Sequence, residues 1–329
     1  MTTLVDRLVP VHQRKPFGEL RETLDLGTGD LTSKLGGFLS MLILSALIAT
    51  AGILNDSTAT VIGAMIIAPL ATPIQGMALA IVSSRYDMLR SSFLWFLVGL
   101  ALAILTGILL AFAVADPVEL TTNSQVVGRT SPNLLDMVAA VATGLAGALG
   151  MCRKDLGSIL PGVAISISLI PPLAVVGVCA GVGQWSYAVG ALVLFLCNVV
   201  AMIVAGSVVF TLAGHRHTAR GEDRSSRKVV RLIAVLSLLI AVPLTVNTWM
   251  IYLSAETRQT VSAWLGSTPG SKVTGMQWHG KGVIVSIQTP TGDTPDTSSL
   301  HHELEENDLP SFLEVTLEVT PANEIVVER

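Results

Sequence analysis

Thr60–Val82 (TVIGAMIIAPLATPIQGMALAIV) is apolar over the length of a bilayer crossing, yet Pro69 and Pro73 sit near its middle. A proline inside a helix removes a backbone donor and frees a carbonyl. In lipid no water meets that carbonyl, so protein or ligand must. A second stretch, Ile159–Gly181, repeats the pattern with Pro171 and Pro172. Laid over one another at a shift of 99 residues, the stretches match at Gly63 and Gly162, Leu70 and Leu169, and Pro73 and Pro172. The same register pairs Asp56 with Asp155, Phe96 with Phe195 and Gly107 with Gly206. An internally duplicated membrane protein, with a broken helix in each half, is expected.

Composition agrees: 51% of the residues are apolar and 13% charged, too few charges to cover a soluble surface of this size. Seven apolar segments approach the ~20 residues that a spanning helix needs. They are about 35–54, 59–83, 92–115, 134–151, 158–182, 185–214 and 229–253. The polar N-terminal stretch argues against a cleavable signal peptide, leaving the first span as an uncleaved insertion signal. Residues 1–34 read as a basic cytoplasmic tail, with Glu19–Leu26 either a surface-lying helix or loosely ordered. Asn55–Thr58 are good N-cap residues for the second span. Cys152, Cys179 and Cys197 have no metal or disulfide spacing, and packing is the expected role.

Charge sets the orientation. With the N-terminus inside, the tail, the turns at Arg85 and Arg153 and the loop from His215 to Arg231 hold fifteen of the 20 Lys and Arg residues. Seven spans then put the C-terminal region outside the cytoplasmic membrane. Repeat one (35–115) and repeat two (134–214) have three spans each. Two odd repeats in series face opposite ways, an inverted-topology pair of the kind common in secondary transporters. The seventh helix follows at 229–253. Residues 254–329 change character, with strand content at Lys272–Trp278, Val283–Gln288 and Phe312–Thr320 and a helix at Thr297–Glu306. A small α+β domain of ββαβ order, possible as a ferredoxin-like fold, is expected there. The fold class is thus an all-α polytopic membrane protein with a small C-terminal α+β domain.

Pseudo-twofold symmetry would bring the two breaks together as a polar midplane site. Its residues are Pro69, Thr72, Pro73 and Gln75 from one half and Ser166, Ser168, Pro171 and Pro172 from the other, with Asn198 in the sixth span. The bland alternative is a pair of proline kinks satisfied by serine and threonine, with Gln75 and Asn198 making interhelical hydrogen bonds. Asp56, Arg129 and Asp136 form a second group, in which Arg129 pairs with either acid to close an outer vestibule, or the acids merely cap helices. The loop at 216–231 reads as touching anionic lipid rather than nucleic acid. His215 with His217, and the His301–His302 pair, are weak metal signals. No HExxH, GxSxG, Walker A or GxGxxG motif stands in a fitting context, so no enzymatic activity, cofactor or metal is expected.

The stretches Gly52–Ile81, Arg129–Gly150, Gly162–Val178 and Leu194–Val200 resemble the prokaryotic membrane-protein family called domain of unknown function 389. The resemblance covers about 35–210 and implies a multi-spanning membrane protein without supplying a substrate. Three functions stay open: a transporter of a small polar solute or ion, an ion channel, and a membrane-embedded scaffold or sensor working through the C-terminal domain. Self-association into a homo-oligomer is expected for each, because Gly/Ala-rich faces invite it.

Overall fold

The computed structural model describes residues 9–114, 120, 123–130, 134–156, 169–215, isolated positions between 231 and 249, 252–266, 269–279, 282–290, 296–306, 310 and 314–321. The chain forms two compact units, 1–245 and 246–329.

In the first unit a short helix α1 (Phe17–Leu24) precedes α2 (Leu31–Leu54). Asp30 caps α2 by accepting from the Ser33 N–H. Next come α3 (Thr58–Ile67) and α4 (Ala71–Val82), which bend by 49° at the Ala68–Leu70 break. The long α5 (Tyr86–Val114) follows, then a single turn α6 (Ser124–Val127) and α7 (Leu134–Cys152). The half-length α8 (Ile170–Gly181) and long α9 (Trp185–Leu212) complete the unit. Four of these, α2, α5, α7 and α9, are long and apolar enough to cross a membrane, and the bent α3–α4 pair makes a fifth candidate. The expected fifth span is described only as α8, and the expected seventh lies almost wholly outside the described residues.

Large apolar side chains face outward along these helices. Ile62 and Ile66 on α3, Leu109 and Phe112 on α5, and Leu135 and Val138 on α7 are all more than half exposed. In water such a surface would aggregate; against acyl chains it costs nothing, so the first unit is a membrane-spanning bundle. Its core is the reverse of a long-helix core. The half-length helices occupy the middle: every residue of α8 from Ile170 to Cys179 is buried, and all of α4 except Thr72 and Ile81. Around them α4 packs on α5 and α9, while α8 packs on α2, α5 and α9. α9 also packs along α7, and α2 along α3 and α5.

The helices recur at the sequence shift. Moving α4 by 99 residues gives the bounds of α8, and the starts of α5 and α9 are likewise 99 apart. The connecting turns correspond atom for atom. Ser84 and Gly183 both have positive φ, 54° and 79°. The Arg85 N–H donates to the Ala80 carbonyl at 3.0 Å, and the Gln184 N–H to the Cys179 carbonyl at 2.8 Å. Each is a left-handed C-terminal turn closing a short helix. Each then opens a long helix on an exposed aromatic residue, Tyr86 or Trp185, of the type favoured at a membrane–water boundary.

Polar groups gather at two ends. At one, Arg14 makes a β-bridge with Arg153, the Lys15 N–H donates to the Cys152 carbonyl at 2.8 Å, and the Lys154 N–H to the Gln13 carbonyl at 2.9 Å. Phe17 lies beneath the Arg85 guanidinium, 5.7 Å from it. The tail thus contains a helix, α1, which packs on α4 and buries Leu20 and Leu24. At the other end the Asn123 amide donates to the Ile53 carbonyl at 2.8 Å.

The second unit has helix α10 (252–265), strands β1 (Lys272–His279) and β2 (Gly282–Thr289), helix α11 (Thr297–Glu306) and strand β3 (Glu314–Pro321). β1 and β2 pair antiparallel, and β2 pairs with β3 in parallel, in the order β1-β2-β3. The ββαβ order therefore holds, but a ferredoxin-like sheet splits its parallel pair with another strand, and here β2 and β3 pair directly. Val283, Val285 and Ile287 alternate inward against Val261, Trp264 and Leu265 of α10 and Leu300 of α11. The Trp264 indole N–H is shared between Ser299 Oγ at 3.0 Å and the Asp296 carbonyl at 3.2 Å. Residues 254–265, read from sequence as the start of the α+β domain, belong to this helix, which extends the apolar face of the sheet.

Candidate functional site

The prolines do something other than kink a continuous helix. Pro73 stands in the first turn of α4, and Pro171 and Pro172 in the first turn of α8. First-turn amides have no partner within the helix, so proline there costs no hydrogen bond and presets the backbone. Pro69 alone lies in the break, half-buried, with its carbonyl accepting from the Thr72 N–H at 3.1 Å. The buried Ser45 hydroxyl donates to the Ala64 carbonyl at 2.7 Å, so a serine from α2 satisfies the end of α3. The break is thereby a helix start inside the bundle, partly closed by protein.

Gln75 is the polar residue this arrangement sets deepest, fully buried on α4. Its Nε2 reaches the Gly144 carbonyl of α7 at 3.4 Å, a long bond. Among the described residues its Oε1 has no hydrogen-bond partner. That oxygen lies against α9 at Gly206, where an added Cβ would collide with it. The next residue, Ser207, is also fully buried, and its hydroxyl is unpartnered among the described residues. A buried amide oxygen left unpaired costs about 1–3 kcal/mol, so its retention calls for an account. Sequence alone offered Gln75 but gave no signal for Ser207.

Residues 99 apart also exchange contacts. Phe96 of α5 and Phe195 of α9 stack on each other, their ring centroids 5.9 Å apart and their planes 3° from parallel. Gly107 of α5 packs on Gly177 of α8, where a Cβ on either would lie within 3 Å of the other's Cα. Gly206 of α9, 99 residues beyond Gly107, meets Ala78 of α4, 99 residues before Gly177.

Of the remaining expected site residues, Asn198 is buried in α9 and Thr72 half-buried. Ser166 and Ser168 lie outside the described residues.

The second group is built differently from its reading. Ser57, not Asp56, caps α3, accepting from Thr60. Asp56 has a φ of 48° and turns toward the connector, where it accepts from Ser124 Oγ at 2.6 Å and from the Gln125 N–H at 3.2 Å. These bonds, led by that of Ser124, hold its carboxyl below the ordinary carboxylate range. Arg129 reaches Asp56 through Gln125: its Nη1 donates to the Gln125 carbonyl at 2.8 Å and to Oε1 at 3.0 Å. Burial lowers the Arg129 pKa, and the nearby Asp56 charge opposes that shift. The buried Gln125 also donates to Thr58 Oγ1 at 2.8 Å, tying the connector to α3. Asp136 is in the first turn of α7. Asp155, the counterpart of Asp56, is instead paired with Arg153 at 2.6 Å, and its pKa is lowered by that hydrogen bond. Among the described residues no cluster of His, Cys, Asp and Glu fits a metal ion.

Residues 65–204 match the family described as Domain of unknown function (DUF389). An uncharacterized protein of Methanocaldococcus jannaschii is 32% identical over 202 residues, which are 61% of this chain and 62% of that relative. The chain thus spans less than two thirds of the length of the curated relative it matches. No solved structure matches.

Proposed function

We propose that this chain, whose residues 65–204 belong to the DUF389 family, is a membrane transporter or permeation protein for a small polar solute or ion. The observation that carries the reading is Gln75: an amide oxygen fully buried where α4, α7 and α9 meet and unpaired among the described residues. Half-length helices at the centre of a bundle, with polar groups at their interrupted ends, are the usual setting of transport sites near the midplane. The recurrence of bounds, turns and contacts at 99 residues supports two repeats, and three apolar segments in each support their inverted orientation. In this reading the connector held by Asp56, Gln125 and Arg129 is extracytoplasmic, the basic end is cytoplasmic, and the seven-span count stands.

Uptake into proteoliposomes, with a stability screen of purified protein against ions, sugars, polyols, amino acids and nucleotides, tests this. A ligand binding only the folded state stabilises it by ~2.7 kcal/mol at a hundredfold excess over its dissociation constant. The expected result is a saturable shift and a flux, both reduced at least tenfold by Gln75→Ala. Flux and binding equal to wild type in that variant would remove Gln75 from the pathway.

A second reading has an observation of its own. Residues 246–329 form a separate unit with a complete apolar core, as a partner-binding module would. If ligand binding and flux survive removal of residues 254–329, the helices carry the function; if the helices alone bind and carry nothing, the scaffold or sensor reading gains.

A further inference from the structure

The basic end of the bundle holds a cleft of ≈ 460 Å³ whose walls include Phe17, Ser83, Arg85, Gly214 and His215. We propose that it is an anion site for a phosphate group, either an anionic lipid headgroup or free phosphate, with Arg85 as its principal ligand.

Charge accounting at this end isolates Arg85. Glu19 is paired with Lys15 at 3.4 Å, and Asp87 with Arg21 at 3.0 Å. The buried Asp25 faces Arg21 at 3.5 Å, and Asp155 is held by Arg153. Lys34 donates to the carbonyls of Glu22, Asp25 and Thr28. Among the described residues no carboxylate pairs with Arg85. Its half-buried guanidinium lies over the Phe17 ring, with Cζ 5.7 Å from the ring centroid. An in-plane fork of N–H donors is the geometry that takes a phosphate in two parallel bonds. Arg14 adds positive charge: its Nη1 would lie 3.8 Å from a Cβ at Gly214. The His215 Nε2, in the same wall, is buried with no hydrogen-bond partner among the described residues.

The carbonyl ends of α4 and α9 border the cleft but do not oppose an anion strongly. The N–H groups of Ser83, Ser84 and Arg85, and of Ala213, Gly214 and His215, already close them. The duplication supplies an internal control. The turn after α8 has the same geometry, yet the residue 99 places beyond Arg85 is Gln184. Folding the turn therefore needs no arginine, and Arg85 is left for another task. The position, where three apolar helices reach the water boundary, is one that lipid headgroups occupy, and basic pockets of this kind bind them.

The test uses the full chain in nonionic detergent, with three probes: inorganic phosphate, dihexanoyl-phosphatidylglycerol and dihexanoyl-phosphatidylcholine. Thermal unfolding and tryptophan fluorescence give the dissociation constants. Saturable binding of phosphate or phosphatidylglycerol, weakened at least tenfold by Arg85→Gln and less than twofold by Arg90→Gln on the next turn, is expected. If Arg85→Gln does not fold, Arg85→Lys keeps the charge, loses the fork and should weaken binding several-fold. Phosphatidylglycerol binding that phosphate does not compete away assigns the site to lipid. Competition between the two, with phosphate alone sufficient, assigns it to the free ion. No saturable binding of either anion, equal binding of phosphatidylcholine, or wild-type affinity in both Arg85 variants overturns the proposal.

Discussion

Gly177→Ala tests whether the half-length helix α8 is held by backbone contact with α5. A Cβ at 177 would lie 2.5 Å from the Ile104 carbonyl oxygen and 2.8 Å from the Gly107 Cα. Both are backbone atoms, so no side chain can swing aside. Non-bonded atoms prefer about 3.5–4.0 Å, so the helices must part by roughly 0.7–1 Å, and a gap of that size forfeits a quarter to a half of each contact's attraction. Over the whole interface this amounts to about 2–3 kcal/mol, within the ordinary cost of overpacking. Replacing a helical glycine by alanine returns ~1 kcal/mol. The net loss is ~1–2 kcal/mol, or about 2–8 °C in Tm for a unit of this size. Gly63→Ala is the control, because nothing lies within 4 Å of its added Cβ and only the propensity gain remains. Gly206→Ala should fall between them, since the first atom met is the end of the Gln75 side chain. Thermal unfolding of the three variants in one detergent decides. A Gly177→Ala protein as stable as Gly63→Ala would refute the close-approach reasoning.

Two further outcomes follow from the turns. Gly183→Ala meets no neighbour but must hold a φ of 79°, which costs an L-residue ~1–2 kcal/mol, whereas Ser84→Gly at the matching turn should leave stability equal or higher; unfolding midpoints check both. The carboxyl of Asp56 is held below its usual pKa by Ser124 and Gln125, so the bonds it accepts stabilise the fold fully above the ordinary carboxylate range and are lost as pH falls through the lowered value. Asp56→Asn should therefore lower stability at neutral pH and flatten its fall in acid; an acid profile unchanged by the substitution would show that Asp56 is not coupled to folding.

The apolar segments determined a spanning bundle, because only lipid accepts Ile62, Ile66 and Phe112 on an outer face. The shift of 99 residues determined which helices correspond, since a gap-free register carries helix starts and turns with it. Alternation at 283–287 determined the inward face of a strand.

Other features needed tertiary structure. Pro73, Pro171 and Pro172 look alike in sequence whether they kink a helix or start one; the 49° bend at the first break, and helix bounds just ahead of Pro171, decided that they start new helices. Asp56 and Ser57 are equally good caps as residue types, and the choice between them fell to Ser124, 68 positions away. Gln125 gave no signal as a polar loop residue, yet it links Asp56, Thr58 and Arg129. Whether a buried amide is paired depends on atoms that arrive from α7 and α9, and among the described residues these leave the Gln75 Oε1 without a partner. Periodicity and composition record how each segment meets its solvent, water or lipid. Hydrogen bonds between segments depend on distances that only the packed helices set.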